Sequence, residues 1–337
     1  MRLPRARGPL SAEVLARLAG PRPAAGGLVV APASPDPVHD EDLQLTLWVL
    51  YELHYRSFED LGGDWEWDPG LLGVREALER QFERALRVRL GHHVAAALRA
   101  PGDVASRLFA LTESFEGPAL AAHVQRRASR EQVVELLLHK SVYQLKEADA
   151  YTWVVPRLEP GIKAQLMELQ FDEYGDGHPE RVHQTLYATT MSGAGLDPTY
   201  GTYVNDVPAI TLAMSNAVSM LGLHRRLRAA ALGHLAAVEA TSSLPCRRLA
   251  AGIRRVGFGD DVAHFFDEHV EADAVHEQLA IRGICGSIVE ASPESEAEVV
   301  FGALVSLDLD AQFATRLLAA WDNGDRLMPG VPALGHR

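Results

Sequence analysis

Residues 269–276 read HVEADAVH. His269, Asp273 and His276 stand at i, i+4 and i+7. On an α-helix, at about 100° per residue, the three project within roughly 60° of one another. The flanks continue the stripe, with Phe265 and Phe266 upstream and Leu279 and Ala280 downstream. Such a stripe is buried by an amphipathic helix. An ionised carboxylate buried without a partner is strongly unfavourable. A metal ion removes that penalty, because neutral imidazoles and a carboxylate become its ligands. For this segment alone a hydrogen-bonded polar core competes with a metal site. Glu268, Glu271 and Glu277 point elsewhere and read as a solvated face, and His264 lies off the stripe and reads as structural.

One helix cannot complete a metal site, so inward carboxylates are sought on others. Glu239 continues a stripe set by Leu232 and Leu235, Glu173 one set by Leu166 and Leu169, and Glu147 one set by Leu136 and Tyr143. His183 follows the stretch GDGHPE and is a further candidate. Each glutamate alone reads as a helix-end or surface charge; together they match the facing-helix carboxylate construction of bundle metal sites. Glu147, Glu173, Glu239 and Asp273 carry four negative charges, which two divalent cations would neutralise, easing burial. Imidazole and carboxylate without thiolate suits iron or manganese, leaving Cys246 and Cys285 without a part. Tyr143 and His139 are candidates for orienting the ligands, and Arg225 and Arg226 for pairing with a substrate carboxylate, against a solvated helix end. His178 and Glu180 fall in the loop and are read as non-ligands.

The elements that must position these residues are helical. The chain has 337 residues, 47% hydrophobic, with Ala, Leu and Val prominent and few β-branched runs, which favours helix. A net charge of −13 argues against a nucleic-acid-binding surface. Two cysteines without a CxxC fit a reducing cytoplasm, and no apolar run is long enough to span a membrane. Residues 1–38, rich in Pro, Gly, Ala and Arg, read as a flexible arm with a short helix around SAEVLARLAG. HDED suits the N-terminus of the next helix, and LLGVREALERQFERALRVRL is strongly amphipathic. Two shorter helices are expected near 102–114 and 117–127. Ser129 and Gln132 form a capping-box pattern before a helix running through VVELLLHKSVYQLKEAD. The helix through IKAQLMELQFDEYG breaks at the glycines, and Pro179 is placed to restart it. Further helices are expected near 206–220, 223–241, 246–255, 259–281 and 293–322. Short breaks between helices and no internal repeat describe a compact bundle.

Four spacings carry a resemblance: Glu147 to Glu173, Glu173 to His183 across EYGDGHPERVH, Glu239 to His269, and the closing His-x3-Asp-x2-His. The set resembles the haem-oxygenase-like diiron oxidases and oxygenases, a family also described as iron-containing redox enzymes. It covers residues 128–325, and DEYGDGHPERVHQ and EHVEADAVHEQ are its most specific pieces. The resemblance implies an all-α, haem-oxygenase-like helical bundle over 128–325, with residues 39–127 as an additional N-terminal helical extension. It implies two non-haem Fe(II) ions held by Glu147, Glu173, His183, Glu239, His269, Asp273 and His276, with O2 as co-substrate. The expected activity is oxidation of a small organic substrate of the amine, amino acid or fatty acid class. The expected partner is that small molecule rather than nucleic acid or membrane, and a homodimer is compatible with the bundle. The competing readings are a haem-oxygenase-like protein that binds haem, and one that binds iron without oxygenase turnover.

Overall fold

The computed structural model describes residues 1–21, 34–59, 61–115 and 117–328, the side chains of 271–275 excepted. The described residues form helices joined by turns, with no strand among them. In chain order the helices are α1 (Pro9–Ala19), α2 (Glu41–Glu52), α3 (Pro69–Arg99), α4 (Val104–Ser114), α5 (Leu120–Arg126), α6 (Arg130–Gln144), α7 (Asp149–Thr152), α8 (Pro160–Glu173), α9 (His183–Gly193), α10 (Ala209–Leu223), α11 (Arg228–Arg255), α12 (Asp260–Gln278), α13 (Gly286–Ala291) and α14 (Glu296–Asp322). A π-helical segment, Leu279–Cys285, joins α12 to α13 without a break.

The all-α bundle expected from the sequence is present. Helix α11 packs on α12, α14 and α5; α9 lies on α12, and α8 lies on the π segment. Helix α2 sits against α10, with α1 and α3 packed on it. One cluster of buried apolar residues runs from Leu10 to Met328 and includes side chains from nearly every helix. The α11–α14 crossing is very close. A Cβ on Gly233 would collide with the Val299 carbonyl, and one on Gly302 with the Ala230 carbonyl. Only glycine allows that mutual approach of backbones.

Helix starts follow local chemistry. The capping box is formed: Gln132 N–H donates to Ser129 Oγ at 3.3 Å, and Ser129 N–H to Gln132 Oε1 at 2.9 Å. The acids of HDED do more than serve one helix. Asp40 accepts from Asp42 and Leu43 N–H and caps α2. Glu41 accepts from Ala209 N–H at 2.8 Å, at the start of α10. Asp42 accepts from Leu10 and Ser11 N–H at 2.8 and 2.7 Å, at the start of α1. Three consecutive carboxylates thus satisfy the free N–H groups of three helices.

Several expectations are corrected. Within the 1–38 stretch the short helix expected around SAEVLARLAG is present as Pro9–Ala19, but it is packed rather than part of a flexible arm, with Val14 and Leu18 buried and the Arg7 guanidinium donating to the Val207 carbonyl at 2.7 Å. Residues 22–33 of that stretch lie outside the described residues. The helices expected at 223–241 and 246–255 are one, α11, which runs through Pro245. A proline inside a helix removes one helical hydrogen bond, and α11 continues through it. Pro179 does not restart a helix; α9 begins at His183, because residues 179–182 are taken up in folding the preceding loop back on itself. Helix α6 ends at Gln144, so Glu147 lies in the turn 145–148 rather than on a helical stripe. No described helix is long and apolar enough to cross a membrane.

Candidate metal centre

The candidate ligands arrive from five places. Glu147 comes from the turn after α6, Glu173 ends α8, His183 begins α9, Glu239 sits within α11, and His269 and His276 lie on α12. All six side chains are buried. They gather as two triads, Glu147–His183–His269 and Glu173–Glu239–His276, and within each the ligand atoms lie within 4.8 Å of one another. The seventh, Asp273, is on α12 between the two histidines, but its side chain lies outside the described residues.

The turn carrying Glu147 is tied down on both sides. Lys146 Nζ donates to Glu52 Oε1 at 2.7 Å in a pair buried on both sides, and the Tyr200 hydroxyl also donates to that oxygen. Gln184 Nε2 donates to the Glu147 carbonyl at 3.0 Å, and Gln144 Nε2 to Glu147 Oε1 at 3.0 Å. Ala148, next in the chain, has φ 69°, a left-handed conformation that costs a non-glycine residue about 1–2 kcal/mol. The loop between Glu173 and His183 folds through Gly175 (φ 69°), Asp176 (φ 54°) and Gly177 (φ 82°). A Cβ at Gly175 would come within 2.6 Å of the Arg181–Val182 peptide, so the loop closes that tightly only with glycine there. His183 Nδ1 is thereby brought to 3.0 Å from Glu173 Oε2.

Two ion-pair contacts lie within the triads, and a third joins them. His269 Nε2 lies 3.6 Å from Glu147 Oε1, and His276 Nδ1 lies 3.4 Å from Glu239 Oε2. The Glu173 carboxylate belongs to the second triad and touches His183 of the first. The rings of His183 and His269 face each other at 4.6 Å between centroids, with Phe265 against His269 at 4.3 Å. Burial pulls the imidazoles down in pKa, but the carboxylates outweigh it. Glu173 lifts His183 above its usual range, Glu147 lifts His269 well above it, and Glu239 with Asp172 and Glu173 pushes His276 up to about 9. Burial raises Glu173, yet His183 ahead of His269 and His276 brings it below the usual carboxylate range.

Glu147 Oε2, Glu173 Oε2, His183 Nδ1, His269 Nε2 and His276 Nδ1 are buried without a well-aligned hydrogen bond. Buried polar atoms are nearly always hydrogen-bonded, so a cluster of such donor atoms, aimed at one another, is the arrangement a cation completes. The residues present fit iron: oxygen and imidazole nitrogen donors in two groups, with Glu173 of one beside His183 of the other.

Other expected residues fall differently. His139 does not reach the centre; its Nδ1 is 2.8 Å from Thr211 Oγ1 and its ring packs on Phe313, and burial lowers it to about 3. Tyr143 does adjoin the centre: burial, then Tyr151 and the Glu147 and Glu173 carboxylates, push its phenol well up. Arg226 is held in a two-pronged ion pair with Glu83 rather than set toward a substrate. His178 and Glu180 are exposed, and His264 forms a surface pair with Glu268 at 3.6 Å. Two neighbours of the centre had no signal in the stripes. Asp172 Oδ2 lies 2.9 Å from His276 Nε2, and Cys246, set aside on chemistry, adds to the field that raises His269.

Known proteins resemble this chain in fold and, over part of its length, in sequence. Two crystal structures of a CADD-like protein of unknown function from Nostoc punctiforme PCC 73102 superpose with TM-scores of 0.50 and 0.51 at 20% and 18% identity. They cover 63% and 68% of this chain and 94% and 97% of theirs, a likeness of fold. Nitrosourea synthase of Streptomyces achromogenes subsp. streptozoticus is 30% identical over 130 residues, 38% of this chain but only 27% of that protein. Residues 134–311, more than half of the chain, match the family described as iron-containing redox enzyme, and the chain belongs to that family.

Proposed function

We propose that the chain is a non-haem diiron oxidase or oxygenase that uses O2 to oxidise a small organic substrate. Glu147, His183 and His269 would hold one iron, and Glu173, Glu239 and His276 the other; Asp273 is a further ligand candidate from the sequence. The observation that carries this reading is the pair of buried triads with unsatisfied nitrogen and oxygen atoms facing inward. Membership of an iron-containing redox family supports it, as does the similarity to an enzyme, nitrosourea synthase, over part of its length.

When bound, two ferrous ions supply electrons for the reduction of O2. The chain's own residues position and protect. His269 Nδ1–H donates to the Phe265 carbonyl at 2.7 Å, which leaves Nε2 turned toward Glu147. Phe265 packs edge-on against Tyr187 at 4.8 Å, and both are fully buried, so this side of the centre is walled from water. Water exclusion limits side reactions of activated oxygen. Tyr151 is also buried beside the carboxylates of the centre, with its hydroxyl 2.8 Å from His234 Nδ1.

Anaerobic loading with Fe(II) tests the proposal. Two irons per chain and a transient visible absorbance on mixing with O2 are expected. A Soret band on adding haem, with no ferrous binding, would favour the haem reading. Iron uptake with no O2-dependent oxidation across a panel of amines, amino acids and fatty acids would favour a binder without turnover.

A further inference from the structure

His276 has a carboxylate at each ring nitrogen. Nδ1 lies 3.4 Å from Glu239 Oε2, and Nε2 lies 2.9 Å from Asp172 Oδ2. Within the Glu173–Glu239–His276 triad, Nδ1 is the nitrogen that faces Glu239, and the Nε2 contact with Asp172 is the shorter of the two. Asp172 precedes Glu173 at the end of α8, and about a third of its side chain (34%) is exposed. We propose that Asp172 is the positioning residue of the second metal site: its carboxylate would accept the Nε2–H of His276 and so leave Nδ1, on the Glu239 side, to bind the ion. The proposal rests on the diiron reading.

A neutral imidazole has one N–H, and the nitrogen held as donor leaves the other to bind. His269 shows the opposite choice. Its Nδ1 is held by the Phe265 carbonyl at 2.7 Å, and Nε2 faces Glu147. The two histidines of α12 therefore present different nitrogens, and the difference follows from what stands behind each ring. Behind His269 is a backbone carbonyl of its own helix; behind His276 is a carboxylate from α8. A carboxylate partner also makes the ligand more electron-donating. Consecutive helical residues point about 100° apart. The last turn of α8 thus grips His276 from two directions, Glu173 on the metal side and Asp172 on the far side.

Mn(II), followed by calorimetry and electron paramagnetic resonance, tests this without reliance on turnover. The parent chain should bind two ions. Asp172→Ala should weaken the second by about 10–100-fold and leave the first unchanged. Asp172→Asn keeps an acceptor but loses the charge, and should fall between parent and Asp172→Ala. Asp172→Glu should recover part of the loss, and Asp172→Ala should add nothing once His276 is already Ala. If the parent binds two ions and Asp172→Ala binds both as tightly, Asp172 is a surface pair only, and the diiron reading survives. Equal weakening of both ions, or loss of helical circular dichroism, likewise overturns the positioning role. A parent chain that binds no ion overturns the diiron reading itself.

Discussion

Three residues of the centre are held by something other than their neighbours in the cluster. Glu147 is fixed through Lys146 and Gln184, His269 through the Phe265 carbonyl, and His183 through the fold of the GDG loop. His276→Ala should abolish the reaction of the iron-loaded chain with O2 while leaving far-ultraviolet circular dichroism nearly unchanged; a variant that reacts like the parent rules His276 out as a ligand. Lys146→Met acts differently. It strands Glu52, fully buried, without its cation, and should lower stability by about 3–5 kcal/mol in urea unfolding. At this scale the sequence was informative where polar residues interrupt an apolar stripe: the burial of His269 and His276 beside carboxylates was legible for that reason. Glu147 was found by a stripe that does not exist as drawn, since α6 ends before it. Asp172 was not legible, because a carboxylate beside Glu173 on a half-exposed face carries no periodic signal.

Among the elements, the decisive ones are short. The Glu173–His183 loop has three consecutive left-handed residues, and no helical or strand periodicity announces that. Gly175→Ala would place a methyl group against the Arg181–Val182 peptide in a left-handed conformation. The expected result is destabilisation of at least about 1 kcal/mol and weakened metal binding, read by thermal unfolding and Mn(II) titration. The acids of HDED were expected at one helix start and serve three. Tertiary capping of this kind depends on where α1 and α10 dock, which a single sequence does not state. Asp42→Ala should therefore loosen α1, costing about 1 kcal/mol and raising hydrogen exchange at Leu10 and Ser11, with little change in α2.

For the molecule as a whole, helix content and bundle class were legible because apolar spacing and caps agree over most of the chain. The packing of Pro9–Ala19 was not, since the proline- and glycine-rich composition around it signals an arm. Stability should also depend on pH through two buried histidines outside the candidate ligand set. Burial lowers His139 to about 3 and His234 to about 4, whereas in the unfolded chain both titrate near about 6.5. Below about pH 6.5 the unfolded state binds protons that the native state refuses, so stability falls as pH drops toward 4. Each histidine contributes up to about 1.4 kcal/mol per pH unit in that window, and His139→Gln should flatten the urea midpoint between pH 6.5 and 4.5.

The mutual seat of Gly233 and Gly302 reaches further than its own crossing. Glu239 lies six residues along α11 from Gly233, about 9 Å of helix rise. One methyl group at either glycine would pry α11 off α14 like a wedge in a door frame, and Glu239 would swing with it. A change at a position with no polar atom in its side chain is thus expected to misplace a carboxylate that it never touches.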